Sequence, residues 1–217
     1  MNMKSNKIRL SALFMAVVMC FANYSFACTN FLITKGASKD GSTMVTYAAD
    51  SHTLYGELYY NRAAQYPEGT MIQVIDWDSG KPLIQIPQVA NTYTTVGNMN
   101  QWGLAIAETT YGGREELVDT TGGIDYGSLI YLTLQRAKNA REAIKQIAEF
   151  VDTYGYYSSG ESFSIIDENE VWIMELIGKG APVYNKKGKI DKRWTKGAVW
   201  VAMRVPDGYI SGHANHA

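Results

Sequence analysis

Between residues 29 and 49 the chain carries two short runs, "TNFLIT" and "TMVTYAA", that mix apolar and β-branched positions around "KGASKDG". Such runs predict half-buried strands, and a Lys-Asp-Gly centre is good hairpin chemistry, so the two are expected to pair. "MIQVIDW" is a third strand-like run, closed by the turn "DSGKP". "TYTTVGNM" and "GLAIAETT" form a further strand pair around "NQWG". The period then lengthens. "IDYGSLIYLTLQRA" sets Ile124, Leu129, Leu132 and Leu134 around a partly polar stripe. "NAREAIKQIAEFVDTYG" places Ala143, Ile144, Ile147, Phe150 and Val151 at helical spacing and ends in glycine. Asn139 is the expected N-cap of that second helix, with Glu142 completing a capping box.

Beyond the helices the pattern returns to strands: "SFSIID", the turn "ENE", "VWIMELI", and later "AVWVAMRVP". Strands, helices and strands again predict an α+β fold, a sheet layer packed on helices with much antiparallel pairing. No repeat, low-complexity tract or long Pro- or Ser-rich linker interrupts residues 28–217, which are read as one domain. "NKKGKIDKRWTKG" is a basic, polar run of the kind that forms a solvated loop.

The first 27 residues follow a different pattern. Lys4, Lys7 and Arg9 precede the apolar stretch Leu10 to Phe21, and "ANYSFA" puts Ser25 and Ala27 at the −3 and −1 positions of a cut before Cys28. This is the layout of a secretory signal, and the apolar stretch is short for a bilayer span. An exported chain with no stable membrane insertion after cleavage is the expectation; an uncleaved anchor is the alternative.

Composition changes the picture at two points. The chain is 46% hydrophobic and 19% charged with a net charge of −1, which excludes disorder and gives no electrostatic reason for a nucleic-acid partner. Its two cysteines are Cys20 and Cys28, and Cys20 falls inside the signal. The processed chain then holds one thiol and no internal disulfide, an arrangement that asks for an explanation in an exported protein.

Cys28 has three readings. Lipidation normally wants an aliphatic residue at −3, where this chain has Ser25. A buried structural cysteine is the plain alternative, set against its place at the mobile end of a processed chain. As an N-terminal nucleophile, cleavage after Ala27 frees a thiol and an α-amine on one residue. An α-amine titrates at about 7.7 to 8.0 and a thiol at about 8.5, so the amine can take the thiol's proton near neutral pH. This reading explains the position, because only a cut at that bond creates the amine.

With Cys28 first, "CTNFLITKGASKDGSTMVTYAADSH" resembles the start of the C69 dipeptidases, a cysteine branch of the N-terminal nucleophile hydrolases. "GNMNQWGLAIAETTYGG" resembles the family's Met-Asn turn and Gly-Leu-Ala strand, and "SFSIIDENEVWIMEL" its later hairpin. Penicillin V acylases and bile-acid hydrolases share the plan more distantly. The resemblance runs across Cys28 to Ala217. It implies an αββα sandwich with largely antiparallel sheets, incomplete at the C-terminus because family members usually continue further. It also implies a dipeptidase acting on small peptides without a cofactor, or, as the runner-up, an amidase on non-peptide acyl amides. A lipid-anchored, non-catalytic surface protein is the reading outside enzymes. Two departures stand out. Relatives often carry an arginine three places before the strand-closing aspartate, where this chain has Tyr47. The distant acylases place asparagines where this chain has Thr110 and Arg204.

Asp50 closes the second strand beside Cys28, where a carboxylate can hold the α-ammonium in line; its plain alternative is a cap on the turn "DSHT". Asn100, in the "MNQWG" turn, is a candidate pocket residue, although turns favour asparagine for local reasons. Arg204 is a candidate for a substrate carboxylate, or an ordinary surface arginine. His213 and His216, three apart, come with no further ligand, so no metal is expected. The glycines of "YGGREELVDTTGG" match no phosphate-binding motif and read as a flexible loop.

Overall fold

Both helices form where the 3.6 period predicts them. In the computed structural model, which describes residues 28–50 and 56–217, helix α1 spans Tyr126–Leu134 and α2 spans Ala140–Tyr154. The predicted signal, residues 1–27, lies outside the described residues. Asp125 caps α1 by accepting the Gly127 and Ser128 amides at 3.2 and 3.3 Å. Asn139 caps α2 by accepting the Glu142 amide at 3.0 Å. The expected capping box is displaced by one residue: the Glu142 carboxylate accepts the Lys138 amide at 2.8 Å and the Asn139 side-chain amide at 3.1 Å. Gly155, at φ 81°, ends the helix in a conformation that disfavours any residue with a Cβ. Ala143, Ile144, Ile147, Phe150 and Val151 make the buried stripe.

Twelve strands surround the helices among the described residues: β1 Asn30–Ile33, β2 Met44–Val45, β3 Tyr60–Asn61, β4 Met71–Ile75, β5 Pro82–Pro87, β6 Thr95–Val96, β7 Met99–Asn100, β8 Ala105–Gly112, β9 Gly160–Ile166, β10 Val171–Gly178, β11 Ala198–Arg204 and β12 Ile210–His213. All pairings between these strands are antiparallel. β3, β5 and β12 were not among the expected strands. β5 turns "DSGKP" into the bend of a β4–β5 hairpin, and β12 returns beside β1 to make the small sheet β12-β1-β2. The large sheet runs β11-β10-β9-β8-β7-β6-β3.

The layers follow from alternation along β8 and β9. Ile106, Phe163 and Ile165 point into a core shared with Leu129, Leu132, Ile147 and Phe150 of the helices. Ala105 and Ile166 belong to a second core with Leu32, Val171 and Val205, packed on by Val45 of the small sheet. The central strand β9 is buried along its whole length because both faces are covered. The order is therefore helices, large sheet, small sheet, three layers of the expected αββα sandwich; among the described residues no helix covers the outer face of the small sheet. Phe31 and Ile210, on the outer small sheet, are exposed.

A hydrogen-bonded chain ties the two sheets beside β12. Asn30 Nδ2 donates to Ser164 Oγ at 3.0 Å, and Ser164 Oγ lies 2.7 Å from His213 Nε2. His213 Nδ1 lies 3.0 Å from Thr109 Oγ1, which donates to the Ala214 carbonyl at 3.0 Å. With the Thr109 hydrogen spent on Ala214, Nδ1 is the donor to Thr109, and Nε2 is placed to accept the Ser164 hydroxyl hydrogen, the arrangement of a neutral ring. Burial lowers its pKa in the same direction. Both ring nitrogens of this histidine are thus taken up in tying the two sheets together. Among the described residues, no His, Cys, Asp or Glu group is arranged to hold a metal ion.

Candidate active site

Cys28 enters the structure through its neighbour. Thr29 donates to the Ala48 carbonyl at 3.0 Å and accepts the Ala48 amide at 3.1 Å. That isolated antiparallel bridge sets Cys28 opposite Ala49, with Asp50 the next residue along the chain. All three residues line one cavity of about 420 Å³, and the thiol is half-buried. The sequence-predicted residues Cys28 and Asp50 thus line the same cavity.

The opposite wall comes from the β4–β5 hairpin. Its tip residue Trp77 donates its backbone amide to Asp125 Oδ2 at 3.1 Å, fastening the hairpin to the N-cap of α1. Tyr126 Oη donates to Asp78 Oδ1 at 2.9 Å. Gly127 is required beneath this contact, since a Cβ there would fall 2.6 Å from the Trp77 side chain.

The floor is built from β8 and β9. Thr110 pairs with Glu161 across the ladder, and Glu108 stands two residues from Thr110 on the same face, which makes it the diagonal neighbour of Glu161. Both glutamates are buried, at 4% and 0% exposure. Tyr47 donates its hydroxyl to Glu108 Oε1 at 2.5 Å, and Thr110 Oγ1 donates to Glu161 Oε2 at 3.0 Å. The remaining oxygens, Glu108 Oε2 and Glu161 Oε1, accept from no other side chain or amide, which leaves the Glu161 proton to join the two carboxyl groups. Burial raises the Glu161 pKa well above the usual carboxyl range, and the adjacent Glu108 raises it further. Two carboxylates so close cannot both ionise cheaply, so one proton is shared between them. Burial and the Glu108 charge also push the Tyr47 hydroxyl upward, keeping it a donor. Tyr47 stands where the resemblance expected an arginine, and it fills that place as a neutral hydrogen-bond donor.

Asn215, which no sequence argument singled out, lines the cavity from the segment after β12. Its Nδ2 donates to the Thr110 carbonyl, while Oδ1 is buried without a partner. One amide hydrogen remains uncommitted and available to a developing oxyanion.

Two expected site residues sit elsewhere. Asn100 does not line the cavity. Its Nδ2 donates to the Leu134 and Ala137 carbonyls at 2.8 Å each, and its Oδ1 accepts the Trp102 and Leu104 amides. The side chain is saturated by backbone, closing the C-terminal end of α1 onto the β7–β8 turn. Arg204 ends β11, where its Nε lies 3.6 Å from Glu170 Oε1 with the side chain about half exposed. It also lies outside the cavity lining, as the ordinary surface arginine of the two alternatives.

The model of peptidase family C69 matches residues 27–217. Among curated proteins, the chain is similar to a probable dipeptidase A of Streptococcus pyogenes, 27% identical over 84% of this chain and 38% of that protein. A probable dipeptidase of Latilactobacillus sakei is 24% identical over 87% of this chain and 39% of its own length. A dipeptidase of Bifidobacterium longum is 26% identical over 83% and 36%. The chain thus spans less than two-fifths of the length of these relatives.

Proposed function

The chain belongs to peptidase family C69, and from that premise we propose that it is a cysteine dipeptidase of the N-terminal nucleophile type, exported and matured by cleavage after Ala27. The observation that carries the proposal is the placement of Cys28, the one thiol among the described residues, at the mouth of a cavity shared with Asp50. The dipeptidase names of the relatives support a small peptide as substrate.

The reaction proceeds in two halves. The α-amine of Cys28 takes the thiol proton as Sγ attacks the scissile carbonyl, and Asp50 holds the resulting ammonium in line. The carbonyl oxygen becomes an oxyanion, received by the free amide hydrogen of Asn215 together with backbone amides. Collapse breaks the C–N bond, and the ammonium passes its proton to the leaving amine. A thioester remains on Sγ. Water, deprotonated by the same amine, attacks that thioester and releases the acid, and the thiolate recovers the proton. No cofactor enters any step.

The test is a chain processed to residue 28 and assayed on Ala-Ala, with Cys28→Ala beside it. Loss of measurable turnover in Cys28→Ala is expected. Full activity in that variant, correctly processed, would remove the mechanism.

A further inference from the structure

Charge is unevenly placed along the chain. Residues 179–196 hold seven of its twenty lysines and arginines and one of its twenty-one acidic residues, a net of +6 in a chain whose total is −1. This stretch, expected as a solvated loop, folds as a hairpin. An isolated antiparallel bridge joins Tyr184 to Ile190, and the Asn185 amide donates to the Lys189 carbonyl at 2.8 Å. Asn185 Oδ1 orders the tip by accepting the Lys187 and Lys189 amides at 2.9 and 3.2 Å. The neck is closed by Trp194 Nε1, which donates to the Gly180 carbonyl at 2.9 Å, and by Lys179 Nζ, which donates to the Lys196 carbonyl at 3.2 Å. The one carboxylate is already engaged, since Asp191 pairs with Arg193 at 2.9 Å. Lys186, Lys187, Lys189 and Lys192 are exposed, and none of the ion pairs among the described residues includes them. Apolar residues stand out of the core beside them. Tyr184 and Ile190 oppose each other across the bridge, so both side chains lie on one face of the hairpin, at 61% and 45% exposure.

We propose that the hairpin 183–194 is a docking surface for an anionic lipid bilayer, with its lysines on the headgroup phosphates and Tyr184 and Ile190 set into the headgroup–acyl boundary. The contact is an adsorption that needs no spanning segment, and it does not depend on the peptidase reading of Cys28. Charge complementarity carries it. Each lysine close to an anionic leaflet strengthens binding about fivefold, so the four unpaired ones together supply roughly several-hundredfold. The rest of the chain is net acidic and is repelled by the same leaflet, which makes the hairpin the face that approaches. Long lysine stems let the ammonium groups reach phosphate while the aromatic and aliphatic pair enters the apolar boundary. A soluble polyanion would attract the same cations, but it gives Tyr184 and Ile190 nothing to enter. The exposed apolar pair therefore favours the bilayer.

The experiment is co-sedimentation of the protein processed to residue 28 with vesicles of phosphatidylcholine alone and of phosphatidylcholine mixed with phosphatidylglycerol, at low salt and at about 0.5 M salt. Binding to the anionic vesicles at least tenfold stronger than to the neutral ones is expected, falling steeply at the higher salt. Lys186→Gln combined with Lys187→Gln should weaken that binding roughly twenty-five-fold, two such lysine factors. Tyr184→Ser combined with Ile190→Ser should weaken binding to the vesicles and leave binding to heparin, a soluble polyanion, unchanged. All four side chains are exposed, and a thermal melt reports whether each variant is folded. Were the apolar double variant unfolded, Tyr184→Ser alone takes its place. Equal binding to the two kinds of vesicle, no binding to either, or a lysine variant that binds as the parent does would overturn the proposal. An apolar variant with undiminished vesicle binding would also overturn it, and would give the hairpin to a soluble polyanion instead. Turnover of Ala-Ala in solution is expected to be the same in every variant, so the peptidase reading stands or fails separately.

Discussion

Replacing Glu161 by glutamine should leave the protein as stable as the parent at pH 4.5 and progressively more stable as the pH rises. Glutamine keeps the acceptor for Thr110 Oγ1 and presents a permanent N–H to Glu108, so it copies the protonated acid without the option of losing the proton. The sign follows from the direction of the shift. The folded pKa of Glu161 lies above its unfolded value, so its favourable contribution is complete below the unfolded pKa and is lost as pH rises through the folded one. Between those limits the folded state holds one proton more than the unfolded state, a slope of about 1.4 kcal/mol per pH unit. For a domain of this size that corresponds to roughly 4 °C in Tm per pH unit. His213, whose burial lowers its pKa, acts in the opposite sense: its contribution is whole above the unfolded histidine value and is lost as pH falls toward the folded one. The parent curve mixes both effects, whereas the difference between parent and variant isolates Glu161. The assay is a set of thermal melts of both proteins from pH 4.5 to 8. A Tm difference that stays flat across that range would refute the shared-proton account.

Tyr47→Phe removes the donor to Glu108 Oε1 and leaves a buried acceptor unpaired, which should cost about 1–3 kcal/mol in urea unfolding at neutral pH. Asn139→Ala removes the cap of α2 and should cost about 1 kcal/mol by the same measurement, with no change in peptide affinity.

The helices were legible because their information is local. The spacing of Ile144, Ile147 and Val151, the capping asparagine and the terminal glycine all lie within one short window. Strands β3, β5 and β12 were not, for a physical reason: β3 pairs over only two residues, too few for an alternation to show. "PLIQIP" is bounded by prolines, and "ISGH" contains a glycine and only one large apolar residue, so neither carries a clean alternating signal. Asn100 could be read either as a turn residue or as a pocket residue. The choice depended on two carbonyls more than thirty residues away, which a local window does not contain. Cys28 and Asp50 were singled out from chemistry and resemblance, and the bridge between Thr29 and Ala48 explains why both line one cavity. Glu108 and Glu161 passed unnoticed because each looks like an ordinary strand residue. Their meaning lies in a register that sets Thr110 against Glu161 and Glu108 diagonal to it. Asn215 gains its place only when the chain returns past β12 to the carbonyl of Thr110.

The central claim is that the free N-terminal Cys28 is the nucleophile. It is tested most directly by an intact-mass spectrum of protein produced in a host with its own signal peptidases, recorded before substrate and again after acid quench during turnover of Ala-Ala methyl ester. The account predicts a chain beginning at Cys28 and a second species heavier by one alanyl group, localised to Cys28 by peptide mapping. A hydrolytically active protein that retains residues ahead of Cys28, or that carries lipid on that thiol, would contradict it.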